Sequence, residues 1–406
     1  MKIKAAIFCL ILYFSFFILA LFLPIYLIPY FPKSLFLSIV SGTFYLFISD
    51  VMFRVLYKVL RGGKYPMREK IPFDQIYMVP HPYLPYVYKK NFLCSTKKAS
   101  SYPLNADKGY SVGQFYTNNL RIHNGIDGSR EVVIPKPDGI FRINCLGAST
   151  TGNYIRDEND IVFSYPLELE KILQNKFPEK NIEVNNCGVG GFTSTEILID
   201  FLLNSVDSKP DMIVIYHAYN DLRPSLTDKF QSDYSHAVRN LGESYNLFKW
   251  GAKLPFISIA PLNFLFNLLL PQNIRNGLLG VISKGSIDLD ADFNGLATYK
   301  RNINNLIHVC KGSNIEVVIS TFCHYLYPKI ENDKTHLKYR MGVLEENRVM
   351  QELAREHELS LVDNFNLIPY EDKYFVDSIH FSPSGMREVA CNISIPITKH
   401  LKNVYS

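Results

Sequence analysis

The chain has 406 residues, of which 47% are hydrophobic and 20% charged, with a net charge of +5. That size suits one or two domains, and the small charge, with no basic helix interleaved with stacking aromatics, excludes a nucleic-acid partner. Seven cysteines without CxxC or metal-type spacing point to reduced thiols; no cluster of His, Cys and carboxylates has metal spacing, and neither a metal nor a cofactor is expected.

Residues Ala5 to Phe31 carry no charge, enough to span a bilayer, which needs about 20 apolar residues. The run is too long for the apolar core of a signal peptide and shows no clear cleavage site. A second uncharged run begins at Ser34, after Pro32 and Lys33, and reaches Phe53 if Asp50 snorkels or pairs with Arg54. Residues 1–60 are therefore predicted as a helical hairpin, with spans at 5–31 and 34–53. Lys2 and Lys4 precede the first span, Arg54, Lys58, Arg61 and Lys64 follow the second, and only Lys33 lies between. This bias predicts a multi-pass membrane protein with both ends, and everything downstream, in the cytoplasm. A single span would place the rest outside.

Residues 61–138 are rich in Pro, Tyr and Lys, with weak periodicity. PHPYLPYVYKKN (Pro80 to Asn91) combines repeated prolines with aromatics of exposed type. The expectation is an irregular linker with short edge strands, packed on the main domain.

From Gly139 the pattern alternates strand and helix, the signature of a mostly parallel sheet. Strands are predicted over Arg142–Leu146, Ile182–Asn185, Met212–Ala218, Ile315–Thr321 and Ser360–Val362. Helices are predicted over Tyr165–Phe177, Thr195–Val206, Tyr299–Lys311, Leu344–His357 and Gly385–Lys402, with Pro210 stopping the second. The order implies a doubly wound sheet with helices on both faces. An insertion over 223–296 holds Trp250 and the nearly uncharged stretch Leu254 to Pro271, broken by Pro255 and Pro261. It reads equally as a lid or interfacial patch beside the site and as a small subdomain core.

Four segments end at one edge of this sheet. Phe141 to Asn153, FRINCLGASTTGN, runs a buried strand into Gly147, Ala148 and Ser149. NNCGVGGFTST follows the second strand, and YHAYND, carrying Asn220 and Asp221, the third. FVDSIHFSPSG places Asp377 and His380 three residues apart after the fifth. A serine hydroxyl needs an adjacent base to act as nucleophile. His380 can take its proton, and Asp377 can hold the far ring nitrogen. A tetrahedral intermediate needs donors for its oxyanion: the N–H of Ser149, a glycine N–H and the Asn220 amide suit that role.

In this order the four segments resemble the blocks of the SGNH (GDSL-type) hydrolase superfamily, over roughly Arg142 to Lys402. The resemblance implies a flavodoxin-like three-layer α/β/α sandwich over 139–406 and an enzyme acting on ester bonds. It implies Ser149, Asp377 and His380 as catalytic triad, with Ser149, Gly191 and Asn220 as oxyanion donors. Gly191 is chosen over Gly188 by aligning Asn186, Gly191 and Thr193 with the second block. Ala148 stands where the family has the aspartate of Gly-Asp-Ser, which bears on the local turn. The alternative G-x-S-x-G elbow would need glycine at Thr151. His217, Tyr219, Arg223 and His324 are candidates for lining the substrate pocket. A strand-end histidine satisfied by backbone is the alternative for His217 and His324.

The whole plan is similar to bacterial membrane proteins associated with surface-polysaccharide or lipopolysaccharide assembly. It implies an acyl ester on a small molecule, glycan or lipid-linked substrate. An O-acyltransferase using the same triad and an inactive scaffold are the other readings.

Overall fold

Five strands carry the architecture: β1 (Ile140–Gly147), β2 (Asn181–Asn186), β3 (Met212–Tyr216), β4 (Glu316–Ser320) and β5 (Ser360–Val362). In this computed structural model, residues 78–79, 81–94, 98–99, 111–112, 115–125, 129–156, 161–227, 230–237 and 287–405 are described. The expected spans at 5–31 and 34–53, and the insertion residues Trp250 and 254–271, lie outside them. No helix among the described residues is long and apolar enough to cross a membrane.

All five strands are parallel, in the order β2-β1-β3-β4-β5. Parallel strands need covering on both faces, and the sequence supplies two sets of apolar residues by period-two alternation. Ile143 and Cys145 of β1 and Met212, Val214 and Tyr216 of β3 face one side. There they pack with Leu169 and Leu173 of α1 (Tyr165–Lys176) and with Val389, Ile393 and Ile397 of α5 (Pro383–Tyr405). Leu146, Ile213, Ile215, Val317 and Ile319 face the other side. Their partners come from α2 (Ser194–Leu203), α3 (Leu296–Gly312) and α4 (Lys334–Glu356). The parallel sheet with helices on both faces, expected from the alternation, is present.

Element ends differ from expectation for local reasons. The helix predicted over Leu344–His357 begins ten residues earlier, because Asp333 caps it by accepting from His336 N at 2.9 Å. The helix predicted to reach Val206 stops at Leu203 and gives way to a 3-10 turn, Ser205–Ser208. Lys209 then turns left-handed at φ 48° before Pro210. The strand predicted to reach Ala218 ends at Tyr216. The ends of the insertion close on each other through a Thr227↔Ile287 bridge and Asp288 N donating to Leu226 O at 2.9 Å.

The segment before β1 forms two-stranded pieces, Met78–Val79 with Val87–Tyr88 and Phe92–Cys94 with Phe115–Thr117. It also covers the outer edge of β2, which would otherwise present open backbone groups. His123 N donates to Asn186 O at 3.1 Å and Asn186 N to His123 O at 3.2 Å. Glu170 accepts Val184 N at 2.7 Å and a two-pronged pair from Arg130 at 2.8 and 2.7 Å. The aromatics of Pro80 to Asn91 are not uniformly exposed, as their type suggested: Tyr83 is, whereas Tyr86 and Tyr88 are buried.

His123 itself is wedged between Tyr88 and Tyr154, ring centroids 5.2 and 4.9 Å away, and its Nδ1–H donates to Tyr116 O at 2.6 Å. Burial pushes its imidazole down to about 4. The unfolded chain takes up that proton near pH ~6.5. Between those values only the unfolded state binds the proton, so this contribution to stability is full above pH ~6.5 and is lost as pH falls toward 4. Urea unfolding of the parent chain and of His123→Gln at pH 7 and pH 5 checks this. The gap between them should narrow on acidification by up to about 1.4 kcal/mol per pH unit; an unchanged gap would contradict the assignment.

Candidate active site

The strand order reverses between β1 and β3, and a ligand crevice forms at such a switch point beyond the strands' carboxyl ends. The loops after β1, β2 and β3 meet there. Their approach is close because side chains are missing where backbones cross. A Cβ on Gly147 would lie 2.5 Å from Tyr216 O, one on Gly152 2.5 Å from Gly188 O, and one on Gly188 2.7 Å from the Gly152 Cα. Gly188 therefore packs the first loop against the second. Gly191, at φ 85°, adopts a backbone conformation that L side chains rarely take.

Ser149 opens a one-turn helix, Ser149–Gly152, in which Thr151 and Gly152 N–H both donate to Ala148 O. Its Oγ lies 2.9 Å from His380 Nε2, and His380 Nδ1 lies 2.7 Å from Asp377 Oδ2. The three-residue spacing works because the other carboxylate oxygen of Asp377 folds the turn. It accepts Ile379 N at 2.8 Å and His380 N at 2.7 Å, an Asx-type turn that brings the imidazole back over the carboxylate. A Phe375↔Phe381 bridge and Val376 N donating to His380 O at 2.9 Å close the loop's base. Ser382 and Pro383 then start α5, with Gly385 N and Met386 N on Ser382 at 3.3 and 2.9 Å.

Burial pushes the Asp377 carboxyl up, but the facing His380 and the N–H groups that it accepts outweigh this, and the net shift is downward. An ionised carboxylate only accepts, so the Nδ1 proton stays on His380 and Nε2 is left as the acceptor toward the Ser149 hydroxyl. The side chains of His380 and Asp377 remain 19% and 23% exposed, so the group faces the crevice rather than the core.

Asn220 Nδ2 donates to Phe192 O at 2.8 Å, which leaves the amide's second hydrogen to be offered elsewhere. Three residues tie these loops together. Asn186 donates from Nδ2 to Thr151 O at 2.8 Å and accepts Gly188 N at 3.1 Å. Asp221, buried, accepts Ser194 N at 2.8 Å, Ser194 Oγ at 2.5 Å and a 2.7 Å contact from His217 Nε2. Glu346 of α4, also buried, accepts Tyr219 N at 2.9 Å and supports that residue's left-handed turn at φ 66°. Burial and the Asp221 charge push the Glu346 carboxyl well up. Neither Glu346 nor the Ser194 partner of Asp221 stands out in the sequence.

Two expected pocket residues are corrected. His217 is fully buried, held by Asp221 and beneath Tyr299, whose hydroxyl donates to His217 O at 2.7 Å. His324 is fully buried between Tyr219 and His336, and burial, with His336 and Arg340 nearby, pushes it down to about 3. Neither reaches a surface that a substrate can touch. Tyr219 and Arg223 flank Asn220 and are partly exposed. Among the described residues no three His, Cys, Asp or Glu side chains gather as metal ligands, and five described cysteines are free thiols.

Neither a protein-family model nor a curated protein matches the sequence. Solved structures similar to the chain include a lipase/acylhydrolase from Enterococcus faecalis, at 18% identity over 64% of this chain and 96% of the other, with a TM-score of 0.39. An acetylxylan esterase from Geobacillus stearothermophilus matches at 17% identity over 62% and 92%, with a TM-score of 0.38. A GDSL-like lipase from Bacteroides thetaiotaomicron matches at 14% identity over 64% and 88%, with a TM-score of 0.35.

Proposed function

We propose that the chain is a serine esterase of SGNH type that removes an acyl group through an acyl-enzyme on Ser149. The observation that carries this reading is the hydrogen-bonded chain Ser149 Oγ, His380 and Asp377, with separations of 2.9 and 2.7 Å, at the edge of the switch-point crevice.

In this mechanism His380 Nε2 takes the proton as Ser149 Oγ attacks the ester carbonyl, and the ionised Asp377 steadies the resulting imidazolium. The oxyanion is received by the N–H groups of Ser149 and Gly191 and by the Asn220 amide. His380 then protonates the leaving alcohol. Water, activated by the same imidazole, attacks the acyl group and frees Ser149.

The finer reading is an acyl ester on a carbohydrate or lipid-linked substrate, processed beside a membrane that holds residues 1–60. It rests on the uncharged N-terminal runs and on the basic residues that flank them.

Turnover of p-nitrophenyl acetate by the full chain tests the chemistry. Ser149→Ala should lower kcat by about 10³-fold or more, and Asn220→Ala by about 10²-fold with KM little changed, as for the loss of one oxyanion donor. Ser149→Ala turning over at the parent rate would exclude the mechanism. Adding an acetylated sugar and, separately, a sugar hydroxyl acceptor distinguishes free acetate from transferred acetyl; acetate is the expected product.

The pH dependence of Asp377 gives a second test. Its folded carboxyl lies below the usual range, so its stabilising contribution is present above the unfolded value of about 3.9 and is lost as pH falls through the folded one. Asp377→Asn should therefore flatten acid unfolding below pH ~4 while lowering kcat at neutral pH. An acid limb identical to the parent's would contradict the pairing.

A further inference from the structure

Tyr86 and Tyr88 come from the segment before the sheet, yet both hydroxyls reach the loop after β2. Tyr86 OH donates to Gly190 O at 2.5 Å, and Gly190 N–H donates to Tyr88 OH at 3.2 Å. The carbonyl and the N–H of a single glycine are thus gripped by two hydroxyls about a hundred residues away. Both tyrosines are buried, and the Tyr86 ring rests 5.5 Å from that of Phe192, so the hydroxyls are held in place by packing.

Gly190 lies beside the nucleophile: a Cβ built on it would be 3.8 Å from the Ser149 Cβ and 3.8 Å from the Tyr88 hydroxyl. The Gly190 carbonyl and the Gly191 N–H belong to one peptide unit. That unit is trans, because among the described residues the cis bond is Ile134–Pro135. In a planar trans peptide the two groups point in opposite directions. Drawing the carbonyl toward Tyr86 therefore turns the Gly191 N–H away from Tyr86. The φ of 85° at Gly191 makes the point more telling, since glycine's freedom would otherwise let this peptide rotate. A donor on the carbonyl also polarises the amide and strengthens the N–H as a donor.

We propose that Tyr86, assisted by Tyr88, is a positioning residue for the oxyanion site. Its hydroxyl sets the orientation and polarity of the Gly190–Gly191 peptide, so that the Gly191 N–H meets the developing oxyanion. The segment before the sheet is then part of the catalytic apparatus and not only a linker. The proposal rests on the esterase reading and on Gly191 as a donor.

The test compares the full chain with Tyr86→Phe and Tyr88→Phe, each keeping the ring and losing the hydroxyl. Three readouts are taken: kcat and KM for p-nitrophenyl acetate, affinity for phenylboronic acid, which forms a tetrahedral anion on a nucleophilic serine, and the thermal midpoint. Tyr86→Phe should lower kcat about tenfold, less than outright loss of an oxyanion donor. KM should stay within about twofold, and boronate affinity should weaken by the same factor as kcat. Tyr88→Phe should give a parallel loss of about threefold. A kcat and boronate affinity both within twofold of the parent would overturn the proposal. So would a fall in kcat with boronate affinity unchanged, which marks a merely structural role. Should Tyr86→Phe not fold, Tyr88→Phe decides on the same readings. A parent chain without Ser149-dependent turnover takes down the esterase reading and this proposal together. An active parent beside an unaltered Tyr86→Phe removes the tyrosine clamp alone.

Discussion

Ser149 can stand between the second and third loops only because backbone meets backbone without intervening side chains. Gly147 touches the end of β3, and Gly152 and Gly188 touch each other; a methyl group at any of the three would overlap main-chain atoms. Such contacts leave nothing flexible to yield, so the loops move as one body or not at all. Hydrogen bonds from Asn186 to Thr151, from Asn220 to Phe192 and from Ser194 to Asp221 then join the loops in sequence around the crevice. Catalytic geometry needs this kind of preorganisation, since donors that must reorient during the reaction forfeit much of their electrostatic worth.

The arrangement carries a cost in buried charge and polarity. Asp221 and Glu346 are both buried at the third loop, each accepts a backbone N–H, and neither pairs with a Lys or Arg among the described residues. On the second face of the sheet, Arg142 pairs with Glu183 across β1 and β2 at 2.7 Å, and Asn144 reaches Ser205 and Ser208. Buried polar groups cost stability unless they are satisfied, and removing one partner strands the other. The apolar layers around Ile213, Ile215 and Val214 supply the compensating burial.

The central strand was legible because a parallel strand covered on both faces reads as a continuous apolar run, as MIVIY does. The strand IFRINCLG was legible from Ile143, Cys145 and Leu146 running into Gly147, despite the Arg142 and Asn144 it also carries. The pairing of Asp377 with His380 was legible because their spacing is a local property: the Asx turn that joins them lies within four residues. The start of α4 was not, since KTHLKYR has no clear apolar stripe and the cap at Asp333 does the work. Glu345 and Glu346 are neighbours of identical type, yet one is half-buried and the other fully buried beneath Tyr219. Nothing local separates them. His217 and His324 looked like crevice residues because they follow strands; Tyr299 and Tyr219, from elsewhere in the chain, cover them. Tyr86 and Tyr88 were hidden by the prolines around them, since their role exists only once the segment folds against β2.

The central claim is that a hydroxyl of ordinary reactivity is activated at one position by one imidazole. Treating the full chain with a fluorophosphonate, then measuring intact mass and mapping the modified peptide, tests it most directly. The account predicts a single adduct on the peptide holding Ser149, absent in Ser149→Ala and formed far more slowly in His380→Ala. An adduct that persists in Ser149→Ala, maps elsewhere, or forms at the parent rate without His380 would contradict it.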